Sequence, residues 1–417
     1  MKRTLLSFFC FFLFLASAPL AAGGAVEAAQ NPSQTDTLPL ENLFIAWLEG
    51  AGTPVAAVPL QEEGWLIASV AERPRMDQYG VLVRIDSEGR REWTKEYGGD
   101  NLVMHSLLPL RDGKYLLAGT NSPTDRERWE QRSSPPLELA FEDPETGEEQ
   151  RFTVAPRTSH FWIRKIDANG EDDPEWSGAI FSTNDDESLT SAVECADGDI
   201  LLAAASYAQQ EYRLRLVRTD PQGKVLRDRL FDTERIHCDA VLENSEGNFL
   251  LGGTVDSIFR DRSRISLAKT DSAGNVVWNR VYDERRASLT ALLQANDGTY
   301  AIIGEEYDEN LDSRGLLKIV DASGSELLAK KLDIENANDA ALLPGGEIAV
   351  CGDEVVAGFD MRGELLWRVV PAGLEAVRFT RIFPVGARHL LLLGTGNSLQ
   401  EGRAGKTGGA FAALLVR

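Results

Sequence analysis

The sequence is poor in the residues that metal and redox chemistry require. Of 417 residues only four are Cys and four are His. Cys195, Cys238 and Cys351 stand far apart, with no C-x-x-C spacing, and Cys10 lies in the N-terminal apolar run. This excludes the common zinc and dithiol motifs, and an odd number of thiols beyond the N-terminal run does not make a disulfide framework. Each of the three sits among apolar or small neighbours, as a buried thiol does. His105, His160, His237 and His389 show no helical metal spacing, and no H-E-x-x-H or G-x-S-x-G motif appears. Positive charge is also short: 43 Lys and Arg stand against 65 Asp and Glu, a formal charge of −22. That balance argues against nucleic acid or an anionic membrane surface as a partner. Past the N-terminus, no apolar stretch approaches the roughly 20 residues of a membrane span.

The N-terminus reads as an export signal. Lys2 and Arg3 precede the apolar run from Leu5 to Leu15, and small residues follow up to Gly24. Pro19 disfavours cleavage after Ala18; a cut near Ala22, or as late as Ala28, fits better. The run around Cys10 lacks a lipobox, so lipid anchoring is not expected. Residues 1–22 are therefore expected to be a signal peptide and 23–39 a linker. The mature chain is expected in the periplasm or outside the cell, with a formal charge of −24 once Lys2 and Arg3 are gone.

What the sequence does contain is a repeat. A Gly turn followed by an apolar run recurs seven times, with reference glycines at Gly64, Gly113, Gly198, Gly247, Gly298, Gly346 and Gly386. The intervals are 49, 85, 49, 51, 48 and 40 residues. All but one suit a four-stranded propeller blade, and the outlier marks a blade with an insertion. In phase with it runs Asp-x-x-Gly, at Asp86, Asp167, Asp220, Asp271, Asp321 and Asp360. Here Asp accepts bonds from amides ahead of it, and Gly takes the left-handed conformation that closes a hairpin. Trp93, Trp278 and Trp367 follow four residues after the Gly and supply area for packing between blades.

Each unit thus reads as strands a, b, c and d, and the fold class is all-β: a seven-bladed propeller over residues 40–417. A sheet with two apolar faces cannot stand alone in water, whereas seven around an axis bury both faces. Seven Gly turns against six Asp-x-x-Gly turns leave the last blade without strand d. The orphan segment from Leu43 to Leu48, with Trp47, is expected to supply it and close the ring.

The runs Asp112-Gly-Lys-Tyr-Leu-Leu-Ala-Gly-Thr120 and Lys269-Thr-Asp-Ser-Ala-Gly-Asn-Val-Val-Trp278 resemble the propeller repeats of many secreted bacterial proteins. The style is that of delta-60 repeats, with a more distant similarity to PQQ-type and WD40 blades. The resemblance spans residues from about 40 to 417 and implies architecture but no activity. The tryptophan-docking signature of quinoproteins is incomplete, so it implies no quinone.

Three places depart from the repeat. Residues 121–158 insert between strands b and c of the second blade, rich in Pro and Arg and including Trp129 and Arg132. Leu137 to Phe141 and Arg151 to Ala155 flank a turn there and read as an added hairpin. Such an insertion suits a recognition arm over one mouth of the channel, or a tolerated surface decoration. Second, eight residues before each reference Gly stand Ala56, His105, Thr190, Asp239, Thr290, Asn338 and Arg378, a mostly polar ring expected to face the channel. His105, Asp239, Asn338 and Arg378 are its candidate binding residues, against the alternative of a solvated lining. Third, the acidic turn from Asp167 to Asp173 admits calcium, although its phase makes it a hairpin first. Gly405-Lys406-Thr407 lacks the glycine of a phosphate loop, because Gln400 stands there. No cofactor is otherwise expected. The expected function is non-catalytic binding of a protein, peptide or glycan by a monomer; the alternative is an exported lyase or hydrolase at the channel mouth.

Overall fold

The computed structural model describes residues 43–61, 63–73, 78–98, 101–122, 137–142, 149–154, 159–176, 186–208, 211–231, 238–255, 263–282, 286–295, 297–310, 312–370, 374–386, 389–398 and 408–416. All of them belong to one compact unit, Thr35–Arg417. Every element among them is a β-strand, and no helix is long and apolar enough to cross a membrane.

The strands form seven antiparallel sheets in consecutive order around a ring. Blade 1 holds β2 (Thr53–Pro59), β3 (Trp65–Glu72), β4 (Gln78–Ile85) and β5 (Arg91–Tyr97). In blade 2, β6 (Leu102–Pro109) and β7 (Tyr115–Asn121) are joined to β10 (His160–Ile166) through the hairpin β8 (Leu137–Glu142) and β9 (Glu149–Val154). Blade 3 is β11 (Asp186–Glu194), β12 (Ile200–Ala208), β13 (Glu211–Thr219) and β14 (Val225–Leu230). Blade 4 runs through β15 (Ala240–Glu243), β16 (Phe249–Val255), β17 (Arg264–Thr270) and β18 (Val276–Val281). Blade 5 comprises β19 (Ala287–Gln294), β20 (Tyr300–Tyr307), β21 (Ser313–Val320) and β22 (Glu326–Lys331). Blade 6 follows with β23 (Asp339–Leu342), β24 (Ile348–Cys351), β25 (Val356–Phe359) and β26 (Leu365–Val369). Blade 7 combines β27 (Leu374–Val385), β28 (His389–Ser398) and β29 (Gly408–Val416) with β1 (Leu43–Trp47) from the N-terminal side.

The pattern of burial follows from the ring. Strand b is covered on both faces, so β7 and β16 read as near-continuous buried runs. Strand d forms the outer wall and is mostly exposed in β14. Among the described residues there are seven hydrophobic clusters, and each joins two consecutive blades, the pair formed by blades 7 and 1 included. The core is therefore distributed over the seams.

The c–d turns behave as their sequence predicts. Asp86 Oδ1 accepts the amides of Glu88 at 2.9 Å and Arg90 at 2.8 Å, and the same pair of bonds recurs at Asp167, Asp220, Asp271, Asp321 and Asp360. The glycine has a second role beyond its left-handed backbone. A Cβ on Gly324 would lie 2.8 Å from the Trp278 ring of the preceding blade, and one on Gly223 would lie 2.9 Å from Trp176. These turns are thus sockets for the preceding blade, and the Trp278 indole N–H reaches Ala322 O at 3.2 Å. Blades 1, 2 and 3 add a cation two residues before Asp: Arg84 donates to Ala168 O, Lys165 to Pro221 O and Arg218 to Ser272 O, each in the next blade.

Ring closure uses both walls. β1 pairs antiparallel with β29 from Leu43↔Leu415 to Trp47↔Phe411, and Trp47, Phe411 and Phe379 stack edge to face at 5.7 and 5.8 Å. On the inner side, Thr380 Oγ1 donates to Pro54 O at 3.1 Å and Arg381 Nε to Val55 O at 3.0 Å. Among the described residues, blade 2 pairs three strands, β6, β7 and β10. After its turn the chain makes one bridge, Ile166↔Asp172, and then turns at Asp173, where Lys114 and Lys165 hold the carboxylate at 2.7 and 3.6 Å. Residues 177–185 lie outside the described residues.

Candidate functional site

The channel wall is organised by a β-bulge in strand a. The ladder to strand b skips Val55, His105, Thr190, Thr290 and Thr380 in blades 1, 2, 3, 5 and 7. In blades 4 and 6 the ladder starts one residue later, at Ala240↔Gly252 and Asp339↔Cys351, with Asp239 and Asn338 at the bulge level. The structural ring is therefore Val55, His105, Thr190, Asp239, Thr290, Asn338 and Thr380. Five of these residues are those expected from the spacing to the reference Gly. Ala56 and Arg378 are not at this level, because the reference Gly sits one residue later within the a–b turn of blade 1 and two residues earlier within that of blade 7. The residues just before the bulge, Pro54, Met104, Leu189, Cys238, Ala337 and Phe379, are buried, and Leu289 is half-buried. This level thus turns one side chain per blade away from the core, polar in every blade but the first.

The predicted site residues separate into two groups. His105, in blade 2, is half-buried, with Nε2 3.2 Å from Thr120 Oγ1. Burial, helped by the nearby Arg381 cation, holds its pKa down at about 4. Asp239, in blade 4, accepts the Thr254 amide at 2.9 Å. Blade 3 stands between the two. Asn338 and Arg378 do meet, around Asp353: Asn338 Nδ2 donates to Oδ1 at 3.0 Å, and Arg378 Nε lies 3.7 Å from the same oxygen. Trp129 and Arg132 lie outside the described residues, as does Gly405-Lys406-Thr407.

Asp353 belongs to a longer chain of polar groups at the end of the ring where the b–c and d–a connections lie. From blade 5, Ser288 Oγ sits 3.3 Å from the Tyr307 hydroxyl, which donates to Glu305 Oε2 at 2.6 Å. Ser313 Oγ lies 3.4 Å from Glu305 Oε1 and donates to Asn336 Oδ1 at 2.6 Å, while accepting the Asn336 amide at 3.0 Å. Asn336 Nδ2 then donates to Asp353 Oδ2 at 3.1 Å. Asn336 has φ +49°, a left-handed conformation that Asn tolerates better than most residues, so the network is built on a constrained backbone. Tyr307, Ser313 and Asn336 also line a cleft of about 490 Å³ that includes Glu306, Asp308 and Lys331. Lys331 pairs with Glu306 at 3.0 Å, and Asp308 closes its own turn onto the amides of Asn310 and Asp312.

One step past the bulge stand Ala56, Ser106, Ser191, Ala240 and Ala291 in five blades, but Asp339 and Arg381 in blades 6 and 7. Asp339 Oδ2 accepts the Ile382 amide at 3.0 Å, the position where Ser191 Oγ accepts the Val241 amide. Burial pushes the Asp339 carboxyl up to about 6, with Arg381 offsetting part of the rise. Sequence reasoning passed over Asp339, Arg381, Asp353, Glu305 and Tyr307. The first two could have been found by comparing blades one residue beyond the polar ring, where charge replaces Ala or Ser.

In the acidic turn of blade 2, Asp167 caps its own backbone and Asp172 pairs with Arg164 at 2.5 Å. Among the described residues, no group of three or more His, Cys, Asp or Glu side chains is arranged to hold a metal ion. The three thiols are buried, and burial raises the pKa of Cys195 to about 12.

No family model matches the chain, and no curated protein does. Solved structures do resemble it. The polysaccharide lyase Uly1 aligns with TM-score 0.51 and 12% identity over 90% or so of each chain (89% of this one, 91% of that one). A protein of unknown function from Dyadobacter fermentans DSM 18053 aligns at TM-score 0.49 and 12% identity, covering 90% of this chain and 98% of its own. The Dos1 propeller aligns at TM-score 0.47 and 12% identity, covering 89% and 96%. At such identities the likeness concerns the fold, and the seven sheets joined in a closed ring make the chain a seven-bladed β-propeller.

Proposed function

We propose that this chain is an exported, non-catalytic propeller that binds a peptide or glycan segment at the b–c and d–a end of blades 5 to 7. The observation that carries this reading is the hydrogen-bonded chain from Ser288 to Asp353, with Arg378 beside it, along a 490 Å³ cleft. Polar groups held in place before a ligand arrives lower the ordering cost of binding, and a cleft of this size accommodates a few residues or sugar units. Asn338 and Arg378 act there with Tyr307, Asn336 and Asp353. His105 and Asp239 line the channel, and the insertion bearing Trp129 and Arg132 serves as a recognition arm. Export rests on the N-terminal leader, and the protein acts as a monomer.

The alternative, a lyase or hydrolase, requires an acid and a base that converge on one reacting bond. His105 and Asp239 occupy blades separated by a third, which supports the binding reading. The fold shared with a polysaccharide lyase transfers no activity at 12% identity. The test is a panel of peptides and soluble oligosaccharides, screened against the intact protein and a Tyr307→Phe/Asn336→Ala variant. A ligand is expected whose affinity falls at least about tenfold in the variant, as loss of two buried-side hydrogen bonds implies. Equal affinity in the variant would place the site elsewhere, and a cleaved ligand would overturn the non-catalytic reading.

A further inference from the structure

The outer wall is not uniform around the ring. Strand d carries a base six residues after the turn glycine in four blades: Lys95, Arg229, Arg280 and Lys330. It points to the residue just after the turn glycine in the next blade. In two seams that residue is a carboxylate, and Lys95 pairs with Glu171 while Lys330 pairs with Glu364 at 2.6 Å. For blades 3 and 4 the corresponding residues are Asn275 and Ser325, which carry no charge. Arg229 bonds the Asn275 side-chain oxygen at 2.7 Å, and Arg227 bonds Ala273 O at 2.6 Å. Among the described residues, no carboxylate lies within 4.0 Å of a nitrogen of Lys224, Arg227, Arg229 or Arg280, whereas Arg368 of blade 6 has Asp333 at 3.3 Å. A chain of net charge −22 therefore presents four cations without a close ion-pair partner together on one stretch of its wall.

The same stretch exposes aliphatic side chains. Leu226 is 52% and Val277 is 59% exposed, and Val225, Leu230 and Val276 also face solvent. The two strands form one surface, because Arg227 and Arg229 reach from β14 onto the turn that leads into β18. β14 ends its sheet, so its outer edge has unpaired backbone donors and acceptors. Charge alone would suffice to guard such an edge against pairing. Guarding does not account for five exposed aliphatic residues beside the cations.

We propose that this outer wall of blades 3 and 4 docks an extended acidic peptide segment of a partner, added as a strand along the free edge of β14. The edge supplies main-chain hydrogen bonds, the aliphatic side chains cover alternate apolar residues of the segment, and the cations receive its carboxylates. A short segment fits better than an anionic membrane. It touches only the basic strip, whereas an extended anionic surface would meet the acidic flanks of the ring. This surface lies on the outer wall and is independent of the cleft of blades 5 to 7.

The test uses the full chain and a fluorescent eight-residue peptide of alternating Glu and Val. Binding is expected at low salt and should weaken at least about tenfold between about 0.05 and 0.5 M NaCl. A Lys224→Glu/Leu226→Glu variant alters side chains that make no hydrogen bond or ion pair across a seam and should lose at least about tenfold in affinity. Its circular dichroism and melting midpoint should match those of the parent. The same peptide with alternate amides N-methylated keeps its charge and should not bind. Equal binding of the methylated peptide would overturn strand addition. Unchanged binding by the variant, or no peptide binding while phosphatidylglycerol vesicles are bound, would overturn the proposal altogether.

Discussion

The two ends of the ring differ in how strictly they repeat. At the end bearing the c–d turns, six blades use an Asp that holds two amides, and in five of them the turn Gly also receives a side chain from the preceding blade. At the other end the strand-a bulge recurs, but the side chains around it do not. There the Ser288 to Asp353 chain occurs in one sector, beside a cleft. Chemistry that every blade shares serves the seams, because each seam needs the same joint. Chemistry that one sector owns is free to serve a ligand. The comparison makes a sharp forecast: substitutions at the repeating end should cost stability, and those at the singular end should cost binding.

The largest effect is expected at Gly324. Its φ of +77° excludes a β-branched residue without strain, and a Cβ would press into the Trp278 ring at 2.8 Å. Gly324→Val combines left-handed strain with overpacking, each on the order of 1–3 kcal/mol. Urea unfolding should show a loss of roughly 3 kcal/mol or more. A loss below about 1 kcal/mol would mean that the seams tolerate imperfect sockets, and the division between the two ends would fail.

A middle-sized effect separates two groups in the channel by the sign of their pH dependence. Asp339 titrates at about 6 in the folded chain, above its ordinary value of 3.8. The protonated form is thus favoured by folding, and the stability it contributes is complete below pH ~4 and lost as pH rises through about 6. Asp339→Asn should be more stable than the parent at pH 7.5, by up to about 2 kcal/mol, and equal to it near pH 4. His105 is shifted the other way, from 6.5 to about 4. Its contribution is complete above pH ~6.5 and lost as pH falls toward 4, so His105→Gln should gain on the parent only in acid. Melting midpoints measured from pH 4 to 8 would show two crossing trends. Parallel trends would mean that the two groups do not respond to the channel in the manner described.

Much of this architecture was legible in the sequence, for a reason these residues make plain. The Gly and Asp-x-x-Gly turns recur because the backbone demands them, so a count alone exposed the missing strand that β1 supplies beside β29. The hairpin in blade 2 was legible from its alternating strands and central turn. Position along strand a was less secure. The place of the Gly within the a–b turn varies by one or two residues, which moved the apparent ring from Val55 to Ala56 and from Thr380 to Arg378. The turn at Asp173 in blade 2 was not foreseen, because it is held by Lys114 as well as Lys165, and Lys114 is remote in sequence. The network around Asp353 was invisible for the opposite reason: Glu305, Tyr307 and Asp353 occur once, so no period announces them.

The smallest effect on stability is expected at Asp353, and it is the most telling for that reason. Its two carboxylate oxygens accept from Asn336 at 3.1 Å and Asn338 at 3.0 Å, with Arg378 3.7 Å away. Asp353→Asn keeps the shape but replaces one acceptor with a donor that faces another donor. The side chain is 41% exposed, so water can take up the broken bond, and the cost should stay at about 1 kcal/mol or below. Arg378, 65% exposed, would swing freely once its carboxylate is gone. A ligand that relies on Arg378 and Asn338 in fixed orientation should then bind more weakly, although the fold is intact. Urea unfolding and ligand titration on the same preparation would measure both. A stability loss of several kcal/mol would make Asp353 a structural joint like Gly324 and remove the distinction between the two ends.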